Sequence, residues 1–90
     1  MRFEWDLAKA DTNALKHGVT FDEAGTVFGD VLSVSGRDLA HSVGEPRFVT
    51  IGLSSHGRVL VVYHTDRGSV IRIISARTAI GKEKRIYEEG

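Results

Sequence analysis

Two runs of β-branched residues joined by a short polar turn constrain this chain more than any other feature of it. The first run is Val59-Leu60-Val61-Val62-Tyr63-His64-Thr65 and the second is Ser69-Val70-Ile71-Arg72-Ile73-Ile74-Ser75-Ala76-Arg77, with Asp66-Arg67-Gly68 between them. Such a pattern predicts a β-hairpin. A three-residue loop with Gly68 at the positive-φ position sets Thr65 opposite Ser69. Tyr63 is then expected opposite Ile71, Val61 opposite Ile73 and Val59 opposite Ser75, on an almost wholly apolar face. The other face is mixed, pairing His64 with Val70, Val62 with Arg72, Leu60 with Ile74 and Arg58 with Ala76. Cations on a sheet face either snorkel and pair or hold an anion. Neither strand of this reading carries a carboxylate, which favours the anion site.

A second loop gives the same picture. Ser55-His56-Gly57 ends in glycine, so a strand over Arg47 to Ser54 places Ser54 opposite Arg58. Val49, Ile51 and Leu53 then join the apolar face, and Phe48, Thr50 and Ser54 the mixed one. Upstream, Phe3 and Trp5 allow a short first strand. Asp6 is an N-cap for a helix running to about His17, which Gly18 ends. Leu7, Ala10, Ala14 and Leu15 form its apolar stripe, and Lys9, Asp11, Asn13 and Lys16 its polar side. Thr20 and Glu23 make a capping box for a second helix that buries Phe21, Ala24, Val27 and Phe28. Val31 to Ser35 has strand character, and Gly36 to Pro46 reads as a loop. After Arg77, Thr78 caps a last helix from Ala79 to about Glu89, with Ile80, Glu83 or Lys84, and Tyr87 along one side. The expected architecture is α+β in the order β-α-α-β-β-β-β-α. An antiparallel sheet carries the two N-terminal helices on its apolar face and the C-terminal helix near its edge.

At 90 residues the chain is expected to be a single domain, residues 1–90, with a small core. It has no cysteine, so disulfides and thiolate metal sites are excluded, and a reducing cytoplasm suits it. No stretch approaches the roughly 20 apolar residues of a membrane span, and no signal peptide is evident, so a soluble cytoplasmic protein is expected. The net charge of zero hides an asymmetry. Residues 1–45 hold 4 Lys+Arg against 8 Asp+Glu, and residues 46–90 hold 8 against 4. Opposite patches suit two partners, or are two solvated surfaces.

No phosphate loop, metal-spaced histidine pair or strained nucleophile turn is present. His17, His41, His56 and His64 fall on four different elements, and no metal or cofactor is expected. What remains is a cationic and protonatable set: Arg58, His64, Arg72 and Arg77 on or beside the last two strands, with Tyr87 on the final helix. His17 ends the first helix, where the macrodipole favours imidazolium, and a capping role competes there with a ligand role.

Several of these residues together resemble a known family. Glu4-Trp5-Asp6 with Lys9 and Asn13, Lys16-His17-Gly18-Val19 with Phe21 and Glu23-Ala24, and Arg72-Ile73-Ile74-Ser75-Ala76-Arg77 with Glu83 and Tyr87 are similar to the BrnT family of bacterial toxins. The resemblance implies a RelE-like ribonuclease fold and an activity that cuts RNA and inhibits translation. It implies neutralisation by a BrnA-type antitoxin, contact with DNA only through that antitoxin, and a homodimer or a heterotetramer with it. Cleavage by the RNA's own 2′-hydroxyl needs a base, an acid and cations, and no metal. Arg58, Arg72 and Arg77 supply cations, and His64 or Tyr87 handles protons. Phe48 offers a stacking face, and Lys16, His17 and Lys84 further contacts to RNA. The alternative is a non-catalytic module that binds RNA or protein through the same face.

Overall fold

The computed structural model describes all 90 residues. Its elements run β1 (Arg2–Glu4), α1 (Leu7–His17), α2 (Phe21–Gly25), β2 (Val34–Arg37), β3 (Phe48–Leu53), β4 (Val59–Arg67), β5 (Val70–Thr78) and α3 (Gly81–Glu89). They form one five-stranded sheet in the order β1-β5-β4-β3-β2. The expected α+β order is present. Strands β2 to β5 are antiparallel, and β1 adds to the edge of β5 in parallel, with Phe3 beside Ile71 and Glu4 beside Arg72.

Local chemistry sets the helix ends. The Asp6 carboxylate accepts from the Lys9 N–H at 3.0 Å, and Gly18 takes the left-handed conformation that closes α1. The Thr20 hydroxyl accepts from the Glu23 N–H at 3.1 Å. Glu23 does not complete the capping box. Its carboxylate turns inward to the Arg58 guanidinium and accepts from the Ser54 hydroxyl at 2.7 Å. Helix α3 starts two residues later than expected, at Gly81, because Glu83 reaches back to the Ile80 N–H at 3.0 Å and Thr78 stays in β5. Strand β2 likewise forms three residues late, at Val34, because the Asp30 carboxylate ties the Leu32 N–H into a turn at 3.0 Å.

The β3–β4 register is the expected one, with Leu53 opposite Val59, Ile51 opposite Val61 and Val49 opposite Tyr63. The β4–β5 register is not. Arg67 pairs directly with Val70 through a two-residue Gly68-Ser69 turn, glycine first at φ +64°, a II′-type hairpin rather than the three-residue loop. Gly68 serves either turn, so the sequence permits both. A bulge then leaves Ile74 unpaired, because His64 lies opposite Ile73 and Tyr63 opposite Ser75. The odd slip turns Val70 to Ile73 over, and the bulge restores the expected facing from Ser75 onward. Arg72 consequently leaves the face of His64 and joins that of Tyr63, Ser75 and Arg77.

The helices also choose the other side of the sheet. Helices α1 and α2 cover the mixed face, where Leu60, Val62, Ile73 and Ala76 pack with Val19, Phe21, Ala24 and Val27 as the main core. The apolar face holds a smaller cluster, Ile51, Val61 and Ala79, closed by Tyr87 from α3. The mixed face tolerates burial because its polar groups satisfy one another. Ser35 meets Thr50 Oγ1 at 2.7 Å, Thr50 meets His64 Nε2 at 2.7 Å, and His64 Nδ1 meets Asp66 at 2.7 Å.

Helix α1 docks through an amide rather than a leucine stripe. Leu7 and Leu15 are exposed, whereas Asn13 is buried. The Asn13 side chain donates to the carbonyls of Val19 at 2.9 Å and Ala76 at 2.8 Å, and accepts from the Ala76 N–H at 3.1 Å. Strand β1 stops opposite Arg72, so the outer edge of β5 beyond it lacks a strand. Asn13 stands in for that strand at one residue.

Candidate active site

The register divides the expected site residues between the two faces. Arg58 lies on the helix side, with its guanidinium held by Glu23 and donating to the Gly18 carbonyl at 3.0 Å. His56 Nδ1 approaches the same carboxylate at 3.3 Å. The Arg58 hydrogen bond, opposed by burial and aided by Ser54, holds the Glu23 carboxyl below its ordinary range. A depressed folded value contributes stability that is complete above the unfolded pKa and lost as pH falls through the folded one. Glu23→Gln is therefore expected to be less stable at neutral pH and to lose less on acidification below about pH 4.3. Melting curves across the acid range check this; parallel declines in parent and variant would refute it.

His64 also faces the helices. It is 3% exposed, edge-on to Phe28 at 4.8 Å and stacked with Phe48 at 6.0 Å. Burial lowers its pKa against the opposing pull of Asp66, so it is neutral at pH 7, with Nδ1–H donating to Asp66 and Nε2 accepting from Thr50. Phe48 is occupied by this stack. Lys16 and His17 line a shallow cavity of about 320 Å³ between α1 and β5, and Lys84 shares one of about 390 Å³ with Arg58 and Thr78. The Tyr87 hydroxyl donates to Asp30 at 2.6 Å, which raises the tyrosine pKa, and Asp30 also accepts from the Leu53 N–H at 2.8 Å. Tyr87 thus fastens α3 over the Leu53 end of the sheet.

Beyond it that face carries no helix; Arg47 and Arg77 flank Tyr63 there, and Arg72 stands further along, opposite Thr65. Arg77 forms a fork-to-fork pair with Glu83, both contacts at 2.7 Å, and donates to the Tyr63 hydroxyl at 3.2 Å. Glu83 raises the Arg77 pKa, and Arg77 in turn holds Glu83 ionised. The guanidinium groups of Arg77 and Arg47 lie 5.9 and 5.7 Å from the Tyr63 ring centroid. Arg72 contacts Glu4 at 3.2 Å, and Arg67 pairs with Glu45 at 2.9 Å. Arg47, Tyr63 and Arg67 were not singled out by the sequence; Arg47 and Tyr63 carried a signal in the β3–β4 register, which already put both on this face. No three His, Cys, Asp or Glu side chains converge as a metal ion would need.

Fold and site together define a class: a small α+β domain that presents an arginine-lined sheet face beside a short C-terminal helix. Residues 5–83 match the family described as ribonuclease toxin, BrnT, of type II toxin–antitoxin systems. The chain belongs to that family. Its fold is that of the Brucella abortus ribonuclease toxin BrnT, whose 1.1 Å crystal structure aligns with TM-score 0.68 at 24% identity, over 89% of this chain and 97% of that one. No curated protein matches the chain. No helix is long and apolar enough to cross a membrane.

Proposed function

We propose that this ribonuclease toxin is a cytoplasmic endoribonuclease that cleaves RNA without a metal ion and thereby inhibits translation. The 2′-hydroxyl attacks the adjacent phosphorus, the P–O5′ bond breaks, and a 2′,3′-cyclic phosphate and a 5′-hydroxyl result. The observation that carries the reading is the gathering of Arg47 and Arg77 about Tyr63 on one open face, which Arg72 shares. A guanidinium matches phosphate oxygens in pairs, and the dianionic phosphorane gains more from it than the ground-state monoanion does. Tyr63, with its hydroxyl against Arg77, is the proton-handling group on this face. His64 and Tyr87 are engaged elsewhere, and Arg58 serves the Glu23 pair. Lys16, His17 and Lys84 lie outside this face, so any contact they make to RNA is to its flanks. The toxin is a homodimer, or forms a heterotetramer with a BrnA-type antitoxin that neutralises it and through which alone it touches DNA.

Purified protein incubated with RNA in EDTA is expected to yield fragments ending in 2′,3′-cyclic phosphate. Activity lost in EDTA and restored by a divalent cation would overturn metal independence. RNA bound but left whole would identify a non-catalytic binding module instead.

A further inference from the structure

The register aligns five side chains across the open face, one from each strand or its continuation. Glu4 of β1 lies beside Arg72 of β5, and Arg72 lies opposite Thr65 of β4. Carried one step past the Phe48–His64 pair, the register sets Arg47, which lies just before β3, opposite Thr65; carried one step past Arg37–Phe48, it sets Asp38 opposite Arg47. The Asp38 N–H donates to the Arg47 carbonyl at 2.7 Å, which confirms that continuation. The row therefore reads acid, arginine, threonine, arginine, acid. Each arginine has its carboxylate on the outer side, at 3.7 Å for Arg47 and 3.2 Å for Arg72. Within the row only Thr65 stands between them, and Glu45, held by Arg67, is near enough to act on Arg72 by its charge.

Two donors in this row are unused. Thr65 Oγ1 and Arg47 Nε are out of solvent without a hydrogen-bond partner, Arg47 Nε facing Asp38 Oδ2 only at 3.7 Å, beyond hydrogen-bond reach. Threonine at a 6% exposed position with an idle hydroxyl is costly where valine would pack alike. The two idle donors belong to facing residues, and adjacent strands are about 4.8 Å apart, so one tetrahedral anion spans them. The Arg72–Glu4 pair is partly exposed, with side chains 31% and 42% accessible, and such pairs exchange partners at little cost.

We propose that Arg47, Thr65 and Arg72 form a phosphate-binding subsite, one row along the sheet from Tyr63 and two from Arg77, whose guanidinium reaches back to the Tyr63 hydroxyl. Thr65 donates its hydroxyl to the phosphate, Arg47 turns its Nε–H from Asp38 to it, and Arg72 turns from Glu4 to a phosphate oxygen. That the phosphate is one of RNA, flanking the bond to be cut, rests on the ribonuclease reading. The row spacing of two residues along β4, about 6.8 Å, suits neighbouring phosphates of an extended strand.

Thr65→Val keeps the branched shape and removes only the idle hydroxyl. It is expected to melt at the parent temperature or above, since an unpaired buried group is lost. In a low-salt titration with inorganic phosphate, followed by amide and arginine Nε–H chemical shifts, the parent is expected to respond at Thr65, Arg47 and Arg72. The variant should bind phosphate about tenfold more weakly, the effect of losing one hydrogen bond to a charged ligand. With RNA the variant should show a raised KM at unchanged kcat, as for binding shared by ground and transition states. Equal phosphate affinity in parent and variant, or no response of the row in the parent, would overturn the subsite. Phosphate bound at the row by a parent that cuts no RNA would instead overturn the ribonuclease reading and leave the subsite standing.

Discussion

Replacing Arg77 with alanine is expected to lower kcat for RNA cleavage about a hundredfold, the effect of removing one pre-positioned donor to a charge that develops in the transition state. Arg77 is fixed before substrate arrives, because Glu83 grips both ends of its guanidinium and Tyr63 Oη accepts from the same Nη2. Little reorganisation then remains for the reaction step. The variant leaves the Glu83 carboxylate, only 19% exposed, without its counter-charge, and Glu83 also holds the Ile80 N–H that starts α3. A fall in activity from a loosened α3 must therefore be separated from the loss of the cation. Glu83→Gln does this, because it keeps Arg77 and weakens its grip. That variant should retain most of the activity, and the double variant Arg77→Ala/Glu83→Gln should be as inactive as Arg77→Ala alone. Cleavage rates at saturating RNA, read beside circular dichroism, decide the matter. An active and folded Arg77→Ala would remove this residue from the chemistry.

Asn13→Ala is expected to be among the most destabilising single changes in the protein, at about 3 kcal/mol. Its amide serves three backbone groups at once, on Val19 and on both sides of Ala76, and these two residues are 0% and 1% exposed. Truncation leaves two carbonyls and an N–H in the interior without partners, each costing about 1–3 kcal/mol unless water enters. For a domain of this size the melting temperature should fall by roughly 10–25 °C. Asn13→Asp should be no better at neutral pH, since a carboxylate cannot donate to the two carbonyls and would face them with like charge. Leu15→Ala, on the exposed side of the same helix, is the control and should melt close to the parent. A drop of under about 5 °C for Asn13→Ala would mean that the amide contributes no more than an ordinary surface contact.

These two residues mark the limit of what the sequence discloses. The caps of α1 and α2, the Ser55-His56-Gly57 loop and the β3–β4 register were legible because each depends on residues within a few positions of one another. Asp6 reaches Lys9, Thr20 reaches Glu23, and Gly57 takes φ +78° whatever lies elsewhere. The family, too, was legible, since its motifs are short and spread along the chain. Asn13 was not, because its partner Ala76 is 63 residues away and a polar residue in a helix ordinarily faces water. The Glu23–Arg58 pair, separated by 35 residues, was hidden for the same reason, and without it Arg58 looked free to bind an anion.

The amino-acid sequence by itself determined which segments are helix and which are strand, where most of them start, and that arginines crowd the last two strands. Tertiary structure alone decided which face each arginine occupies. The period of a strand is two, so one choice between a two- and a three-residue turn inverts every side chain up to the next irregularity. Both turns suit Gly68, and the choice falls to the packing of Ile73 against Val19, Phe21 and Leu60 in the main core. Burying Ile73 beneath the helices sends its neighbour Arg72 to the opposite face, and the bulge at Ile74 keeps Arg77 there with it. The two arginines therefore share a face for a reason that lies in the core behind them.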